Sequence, residues 1–423
     1  MENNEHAWGK LLKYYRQKKK RKQDDVAFGI CTPSYLSRIE NGLVIAEHSI
    51  YAQLFENLGI DFNQLEQQLK NQTAFLEQLY EKLLLNAELT SDEIKQLTDI
   101  QNDEQPFEQQ LMAKLVYARF LYSIKDDDDA RTILNEVEPL VSWKKDRITQ
   151  LFVAITAFGH LSFHEFEQLS LKEAENQFAQ YLSNAHPFEL ANYHYHIAFA
   201  NHRSYKLHKA LEHIELAQQF FIHQYKPLFQ LKLYSMKGVI FNDLHRFREA
   251  IQEFEAGLEL LSNVQSIQTP VQWSSLHNNI AYCFECQENF PEASKHYELA
   301  NQYDEDLHSA INWMRTCFVQ KDFEQLEILF NRYEEIRFTV PHHIYQRRLL
   351  QYAVDTAHTI RGLKLLEDEA FTHFDEQQYY SLILFYAPLW GQFYEQLHAY
   401  KQASNCYRQA LEASEKVRQR MSS

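Results

Sequence analysis

Apolar residues at Trp8, Leu11, Leu12 and Tyr15 fall at i, i+3, i+4 and i+7, the stripe of an amphipathic helix over Trp8–Lys18. A shorter helix is expected over Gln23–Phe28, with Val26 and Ala27 inward. Gly29-Ile30-Cys31 then turns the chain into a third helix over Thr32–Asn41. This helix is marked at both ends. Thr32 is a good N-cap, Pro33 suits the first turn, where a missing N–H costs nothing, and Gly42 suits the left-handed residue that ends a helix. At about 100° per residue, Leu36 and Ile39 share one face while Ser34, Ser37, Arg38 and Asn41 take the other. A fourth helix is expected over Ser49–Leu58, stopping at Gly59, and a fifth from about Asp61. Residues 67–105 read as linking helices, with Leu69, Phe75, Leu79 and Leu83-Leu84-Leu85 apolar.

From about residue 106 the pattern repeats. Small residues recur at Ala130, Ala174, Ala210, Ala250, Ala293 and Ala403, the first five spaced by 44, 36, 40 and 43. Twelve residues before each stands another small or polar residue: Ala118, Ser162, Ala198, Gly238, Ala281 and Gly391. Four after the Ala comes a large apolar side chain, clearest in Gly238…Ala250…Phe254 and Gly391…Ala403…Tyr407. The physical logic is close helix contact: a small residue on the first helix lets the Ala of the second approach, and aromatics fill the gaps. Copies near 307–335 and 341–376 are degraded, with Leu326 where Ala is expected and Phe323 and Phe330 in register. Eight or nine helix pairs are expected. The signature resembles tetratricopeptide repeats, helix-turn-helix pairs nominally of about 34 residues that stack into a right-handed superhelix with a concave wall.

Composition agrees with an all-α chain. Among 423 residues there are only nine Gly and nine Pro, so turns are few. Five scattered Cys, an odd number, argue against a disulfide framework. No apolar run approaches membrane-spanning length and no basic start precedes an apolar segment, so the expectation is a soluble, cytoplasmic protein without membrane contact. Charge is uneven. The net charge is −16, but residues 1–42 carry +4, leaving −20 for the rest. A basic head on an acidic body points to nucleic acid at the head and another partner at the body.

Two short helices joined by a tight turn, inside a five-helix unit of some 65 residues, fit a helix-turn-helix module. Gly9, Leu12, Arg16, Gln23, Ala27, Ser37-Arg38-Ile39-Glu40-Asn41-Gly42 and Leu58-Gly59-Ile60 resemble the Cro/phage-repressor (XRE-like) DNA-binding domain. The resemblance implies that Gln23 touches phosphate and that Glu40 pairs with Arg16. One departure is Lys22, where the family prefers a Ser or Thr N-cap; it weakens that helix start but adds a phosphate-binding charge. Base reading falls to Ser34, Tyr35, Ser37 and Arg38, since Arg38 can donate twice to a guanine edge. With Thr32 at the helix start, these residues make the expected DNA-binding set.

On the body, counting from each small residue puts Arg119, Asn242, Asn278, Asn279, Tyr282 and Arg315 on the inner wall, with Asn201 near the end of its own first helix. Asn is unusual inside a helix, but one amide can both donate to and accept from a bound peptide backbone. Arg119 and Arg315 could take a carboxylate. The alternative is that these side chains make capping or interhelix hydrogen bonds. Other constellations carry less. Cys283-Phe-Glu-Cys286 lacks a second pair. His160 and His164, with Glu165, lack a third ligand. His194/His196 and His342/His343, in a chain of 20 His, suit ordinary packing or surface positions, and Asp126–Asp129 suits a solvated loop. Hence no metal, cofactor or catalytic residue is expected, and no enzyme.

An XRE-like head on a tetratricopeptide body resembles the RRNPP peptide-pheromone regulators (Rap, Rgg, NprR, PlcR, PrgX), and its length and many repeats look most like NprR and PlcR. That implies three parts: residues 1–66 bind promoter DNA, 67–105 link, and 106–423 sense a short imported signalling peptide and form a homodimer or higher homo-oligomer. It also implies that an inner Asn, matched to Asn279, grips the peptide backbone, and that binding switches the oligomer and so DNA binding. The same resemblance leaves open a scaffold that sequesters a response-regulator-type protein when peptide-free.

Overall fold

The computed structural model describes residues 5–102, 108–163, 172, 175–176, 178–182, 185–222, 225–304, 307–333, 340–355 and 357–421. Among them there are helices and turns and no strand. His164, Glu165, Ala174 and the end of the expected linker lie outside the described residues, as does the His160 side chain. The chain divides into two compact units, Met1–Ile197 and Ala198–Ser423.

The first unit opens with α1 (Glu5–Lys18), α2 (Gln23–Ala27), α3 (Pro33–Glu40), α4 (His48–Asn57) and α5 (Phe62–Leu84). Their shared core holds Leu11, Leu12, Val26, Leu36, Leu54 and Phe55, none of them solvent-exposed. As expected, Thr32 caps α3, its Oγ1 accepting the Tyr35 N–H at 3.2 Å. Gly42, at φ +69°, ends it, with the Leu43 N–H donating back to the Arg38 carbonyl at 2.8 Å. Lys22 offers α2 no acceptor; the Asp25 carboxylate takes the Lys22 N–H instead, at 3.3 Å.

Two contacts fix α3 in place. A Cβ on Gly9 would lie 2.0 Å from the Ile39 carbonyl oxygen, so α1 crosses α3 at backbone contact. Beside it, Arg16 grips Glu40 with both arms: Nε to Oε1 at 2.5 Å and Nη2 to Oε2 at 2.8 Å. The Glu40 side chain is 1% exposed. Gln23 Nε2 donates to Glu40 Oε2 at 2.8 Å, so one buried carboxylate ties α1, α2 and α3 together. This charge-assisted pairing raises the Arg16 pKa, chiefly through the Glu40 hydrogen bond.

Helix α5 does not stop near residue 66. Its Leu65 and Leu69 belong to the head core, and Leu76, Leu79, Tyr80 and Leu83 are buried further along the same helix. α6 (Ser91–Gln101) follows, opened by a Thr90–Glu93 capping box. Among the described residues this unit continues with α7 (Glu108–Ser123), α8 (Asp127–Val137) and α9 (Arg147–Phe163), and α10 (Pro187–Arg203) carries the division between units.

The second unit contains α11 (Leu207–Phe221), α12 (Pro227–Asp243), α13 (Phe247–Asn263), α14 (Pro270–Cys286) and α15 (Phe290–Tyr303). It continues with α16 (Leu307–Gln320), α17 (Phe323–Arg332), α18 (Pro341–Val354), α19 (Ile360–Glu376), α20 (Tyr380–Gln396) and α21 (Tyr400–Met421). The degraded copies thus form helices like the others, with Leu326 buried in place of the small residue. Seven tight turns carry one left-handed residue each: Lys125, Tyr205, His245, Glu288, Lys321, Gln378 and His398, at φ between 57° and 64°. None is Gly. The turns close by a six-residue hydrogen bond, such as Arg246 N–H to Phe241 carbonyl at 2.8 Å.

The repeat signature works differently from what its spacing suggests. What comes closest to the small residue of the first helix is the ring four positions after the Ala, rather than the Ala. A Cβ on Gly238 would sit 2.4 Å from Phe254, and one on Gly391 would sit 2.6 Å from Tyr407. Ala250 and Ala403 are buried, which lets the second helix lie flat enough for the ring to reach.

Two stability outcomes follow. Gly238→Ala forces the buried Phe254 ring aside and should cost about 1–3 kcal/mol in urea unfolding, partly recovered by adding Phe254→Leu. Arg16→Ala strands the Glu40 charge and should cost the head about 3–5 kcal/mol, whereas Arg21→Ala, at an exposed pair, should change stability by less than about 1 kcal/mol.

Candidate functional site

The outer face of α3 is polar. Thr32, Ser34 and Arg38 are exposed, Tyr35 and Ser37 are half-buried, and Leu36, Ile39 and Glu40 point into the core. Lys20, Arg21 and Lys22 are exposed in the turn before α2. Other cations of the head brace the fold. Lys19 Nζ donates to the Leu58 carbonyl, and Lys13 Nζ donates to Asn41 Oδ1 at 3.0 Å. The family resemblance gives Gln23 to phosphate, but its amide nitrogen reaches Glu40, so one of its N–H groups is occupied. The module presents a short polar helix face that carries the exposed Arg38 guanidinium, with exposed Lys20, Arg21 and Lys22 in the turn before α2. That is a surface able to approach base edges and phosphates together.

In the second unit, four of the expected body residues lie along one polar track. Arg315 on α16 pairs with Glu285 on α14, Nε to Oε1 at 2.7 Å and Nη2 to Oε2 at 2.9 Å. Its Nη1 donates to Asn312 Oδ1 at 3.1 Å, and Asn312 Nδ2 donates to Asn278 Oδ1 at 3.1 Å. The guanidinium lies 5.9 Å from the Tyr282 ring. Tyr297 donates to Glu285 Oε2 at 2.7 Å, and burial pushes its hydroxyl well above the ordinary range, so it donates as a neutral phenol. Asn242 on α12 donates to Cys286 Sγ at 3.6 Å, while its Oδ1 is buried without a hydrogen-bond partner among the described residues. Asn279 is half-buried and Asn201 is fully buried.

This geometry corrects one expectation. Arg315 does not stand as an open fork for an incoming carboxylate, because Glu285 already fills it at 7% exposure of the residue. Glu285, Asn312 and Gln346 were missed by sequence reasoning. Glu285 on α14 and Gln346 on α18, whose Oε1 accepts from Arg315 Nη1 at 3.5 Å, are ordinary polar residues until helix stacking brings Arg315 against them, while Asn312 stands three positions before Arg315 on α16 itself.

Arg119 belongs to the first unit and is not part of that track. It is 1% exposed, donates Nη2 to the Leu83 carbonyl at 2.9 Å and stacks 3.6 Å over the Phe158 ring. Its Nε and Nη1 have no partner among the described residues. They border a cavity of about 20 Å³ lined also by Tyr80, Glu189, Asn192 and His196, room for a single water. Burial pushes its pKa down to about 10, which leaves it charged at neutral pH.

The other constellations resolve by packing. Burial pushes the Cys283 thiol up to about 12 and raises Cys286, so neither offers a thiolate at neutral pH. Asp126 caps α8 through its side chain, and Asp128 pairs with Arg131 at 2.5 Å. His196 packs edge-on to Phe158 at 4.8 Å. Among the described residues no helix is long and apolar enough to cross a membrane.

Residues 12–65 match the helix-turn-helix family HTH_3. No curated protein matches the sequence at a significant level. Among solved structures, a Rap protein complexed with competence and sporulation factor aligns with TM-score 0.65 at 12% identity, over 83% of this chain and 99% of its own. The apo quorum sensor NprR from B. thuringiensis aligns with TM-score 0.61 at 15% identity, over 83% and 99%. NprR in complex with its cognate peptide NprX aligns with TM-score 0.57 at 16% identity, over 81% and 99%. Residues 12–65 are thus a helix-turn-helix domain of the HTH_3 family, carried on a helical-repeat chain whose fold is that of the Rap and NprR structures.

Proposed function

We propose that this protein is a peptide-responsive transcriptional regulator. It binds promoter DNA through α3 as a homodimer or higher homo-oligomer and takes a short signalling peptide on its repeat body. The observation that carries the reading is the exposed Ser34–Arg38 face of α3, held by the buried Glu40 cluster. Thr32 and Lys22 flank it as phosphate contacts, with Tyr35 and Ser37 at its edge. The fold shared with peptide complexes of Rap and NprR supports a peptide ligand.

Among the body residues, Asn242 and Asn279 are the best placed to hold a peptide backbone. Asn242 has an unsatisfied buried carbonyl oxygen, and Asn279 stands outside the Glu285–Arg315 network. Asn278, Tyr282 and Arg315 shape the wall behind them, and Asn201 and Arg119 are buried among the helices. Peptide can act only by binding two arrangements of the protein unequally. A continuous route to the head exists within the first unit. Helix α5 runs from the head core into the body, and Arg147 on α9 clamps it through Glu77, Nε to Oε1 at 2.7 Å, while also holding Glu189. Sequestration of a response-regulator protein is the second reading, favoured by the −20 charge beyond residue 42 and the Rap-like fold.

The test is fluorescence anisotropy of the full chain on its own upstream DNA, with and without the small-peptide fraction of the source culture. Specific binding that shifts with peptide is expected. Arg38→Ala should cost about 1–3 kcal/mol and relax preference at one base pair. An unchanged sequence preference would remove Arg38 from base reading. Asn279→Ala should weaken peptide about three- to tenfold with thermal stability unchanged. Absence of specific DNA binding by folded protein, together with co-purification of a response regulator, would favour the scaffold.

A further inference from the structure

Three imidazoles meet at the start of two neighbouring helices. His308 lies in the first turn of α16, and His342 and His343 lie in the first turn of α18. Their ligand nitrogens all lie within 4.8 Å of one another. His308 Nδ1 and His343 Nε2 are 3.0 Å apart, and the His342 ring packs across His343 at 4.3 Å and 71°. The cluster is graded in depth: His343 is 7% exposed, His342 half-buried and His308 exposed. In sequence alone, His342 and His343 suit ordinary packing or surface positions. The third imidazole arrives from 34 positions earlier, through the stacking of α16 against α18.

We propose that His308, His342 and His343 bind one divalent first-row transition ion, Zn²⁺ being the natural occupant, and so pin the N-terminal ends of α16 and α18 together. The chemistry of the donors selects the ion. Three neutral imidazoles suit Zn²⁺, Ni²⁺, Co²⁺ or Cu²⁺, whereas Ca²⁺ and Mg²⁺ need oxygen ligands. Geometry is near what is required. Tetrahedral Zn–N bonds of about 2.0–2.1 Å put ligand nitrogens about 3.3 Å apart, so the 3.0 Å pair is near the required separation, and the rings turn toward the ion as the third nitrogen, within 4.8 Å of the others, closes in. The exposed side of His308 leaves a fourth position to water.

A second imidazole pair provides an internal comparison. His277 Nδ1 and His296 Nδ1 are 3.1 Å apart across α14 and α15, with burial pushing His277 down to about 4. No third His, Cys, Asp or Glu completes a ligand group there among the described residues. Two imidazoles sharing a proton account for that pair. At His308 the third ring makes the difference. The ion would replace a shared hydrogen bond by a bridge between two successive repeats, stiffening their angle and stabilising the folded chain by mass action. This site is independent of the DNA and peptide readings.

The experiment uses the full chain without a histidine tag, titrated with Zn²⁺ by calorimetry and with Co²⁺ by visible absorption. One equivalent should bind at micromolar affinity or tighter. Saturating Zn²⁺ should raise the thermal midpoint, and Co²⁺ should give the intense d–d bands of a four-coordinate site. His308→Asn, at an exposed position, should leave the circular dichroism unchanged and weaken Zn²⁺ by about tenfold or more. His296→Asn should leave affinity as it is. Absence of a stoichiometric site overturns the proposal. So does a site whose affinity His308→Asn does not alter, since it would belong to other histidines of the chain.

Discussion

Close approach between helices is the constraint on which this molecule is built. α1 meets α3 where Gly9 lies against the Ile39 carbonyl, and α12 meets α13 where Gly238 lies under the Phe254 ring. α20 meets α21 in the same way, with Gly391 under Tyr407. In each case a single Cβ would occupy space already filled. Helices drawn this close set rings directly against the backbone, and dense packing of that kind gives the repeats their rigidity. The head uses backbone contact because α3 must be held at a fixed depth for its outer face to stand clear.

Burying so much surface brings polar groups inside, and they come in satisfied clusters. Glu40 collects Arg16 and Gln23; Glu285 collects Arg315 and Tyr297. A carboxylate enclosed this way is costly unless its oxygens are occupied, and here each is. The cluster around Glu40 fixes three helices at once and so converts a local ion pair into an orientation for α3. The cluster around Glu285 ties α14, α15 and α16 together in the same manner. Satisfaction is incomplete elsewhere, as at Asn242 Oδ1, Arg119 Nε and Nη1, Ser274 Oγ and Trp313 Nε1, and there the interior keeps unused hydrogen-bonding capacity among the described residues. Such groups are the ones a ligand or an ordered water can reward.

The repeat turns show a related economy. A left-handed residue at each turn ordinarily favours Gly, yet Lys125, His245, Glu288 and His398 occupy these positions. The strain is local and repeated, and the six-residue hydrogen bond together with packing of the paired helices offsets it. Helix α5 is the exception to the paired scheme. It belongs to the head core at Phe62 and Leu65 and to the deeper packing at Leu79 and Leu83, so the head is not hung on a flexible linker.

The sequence by itself determined the helices, their order and the polar outer face of α3. Thr32, Pro33 and Gly42 delimit α3 because capping and left-handed turns are local chemistry. The Gly238…Phe254 and Gly391…Tyr407 spacing exposes the repeats because both partners lie within one helix pair. The Arg16–Glu40 contact was also legible, through family resemblance rather than spacing. What sequence could not decide is which polar side chains from different repeats meet. Arg315 reads as an open cation until α14 places Glu285 against it, and His342 and His343 read as ordinary packing or surface positions until α16 supplies His308. Contacts closed by neighbouring elements depend on crossing angle and depth, and those are properties of the packed structure alone.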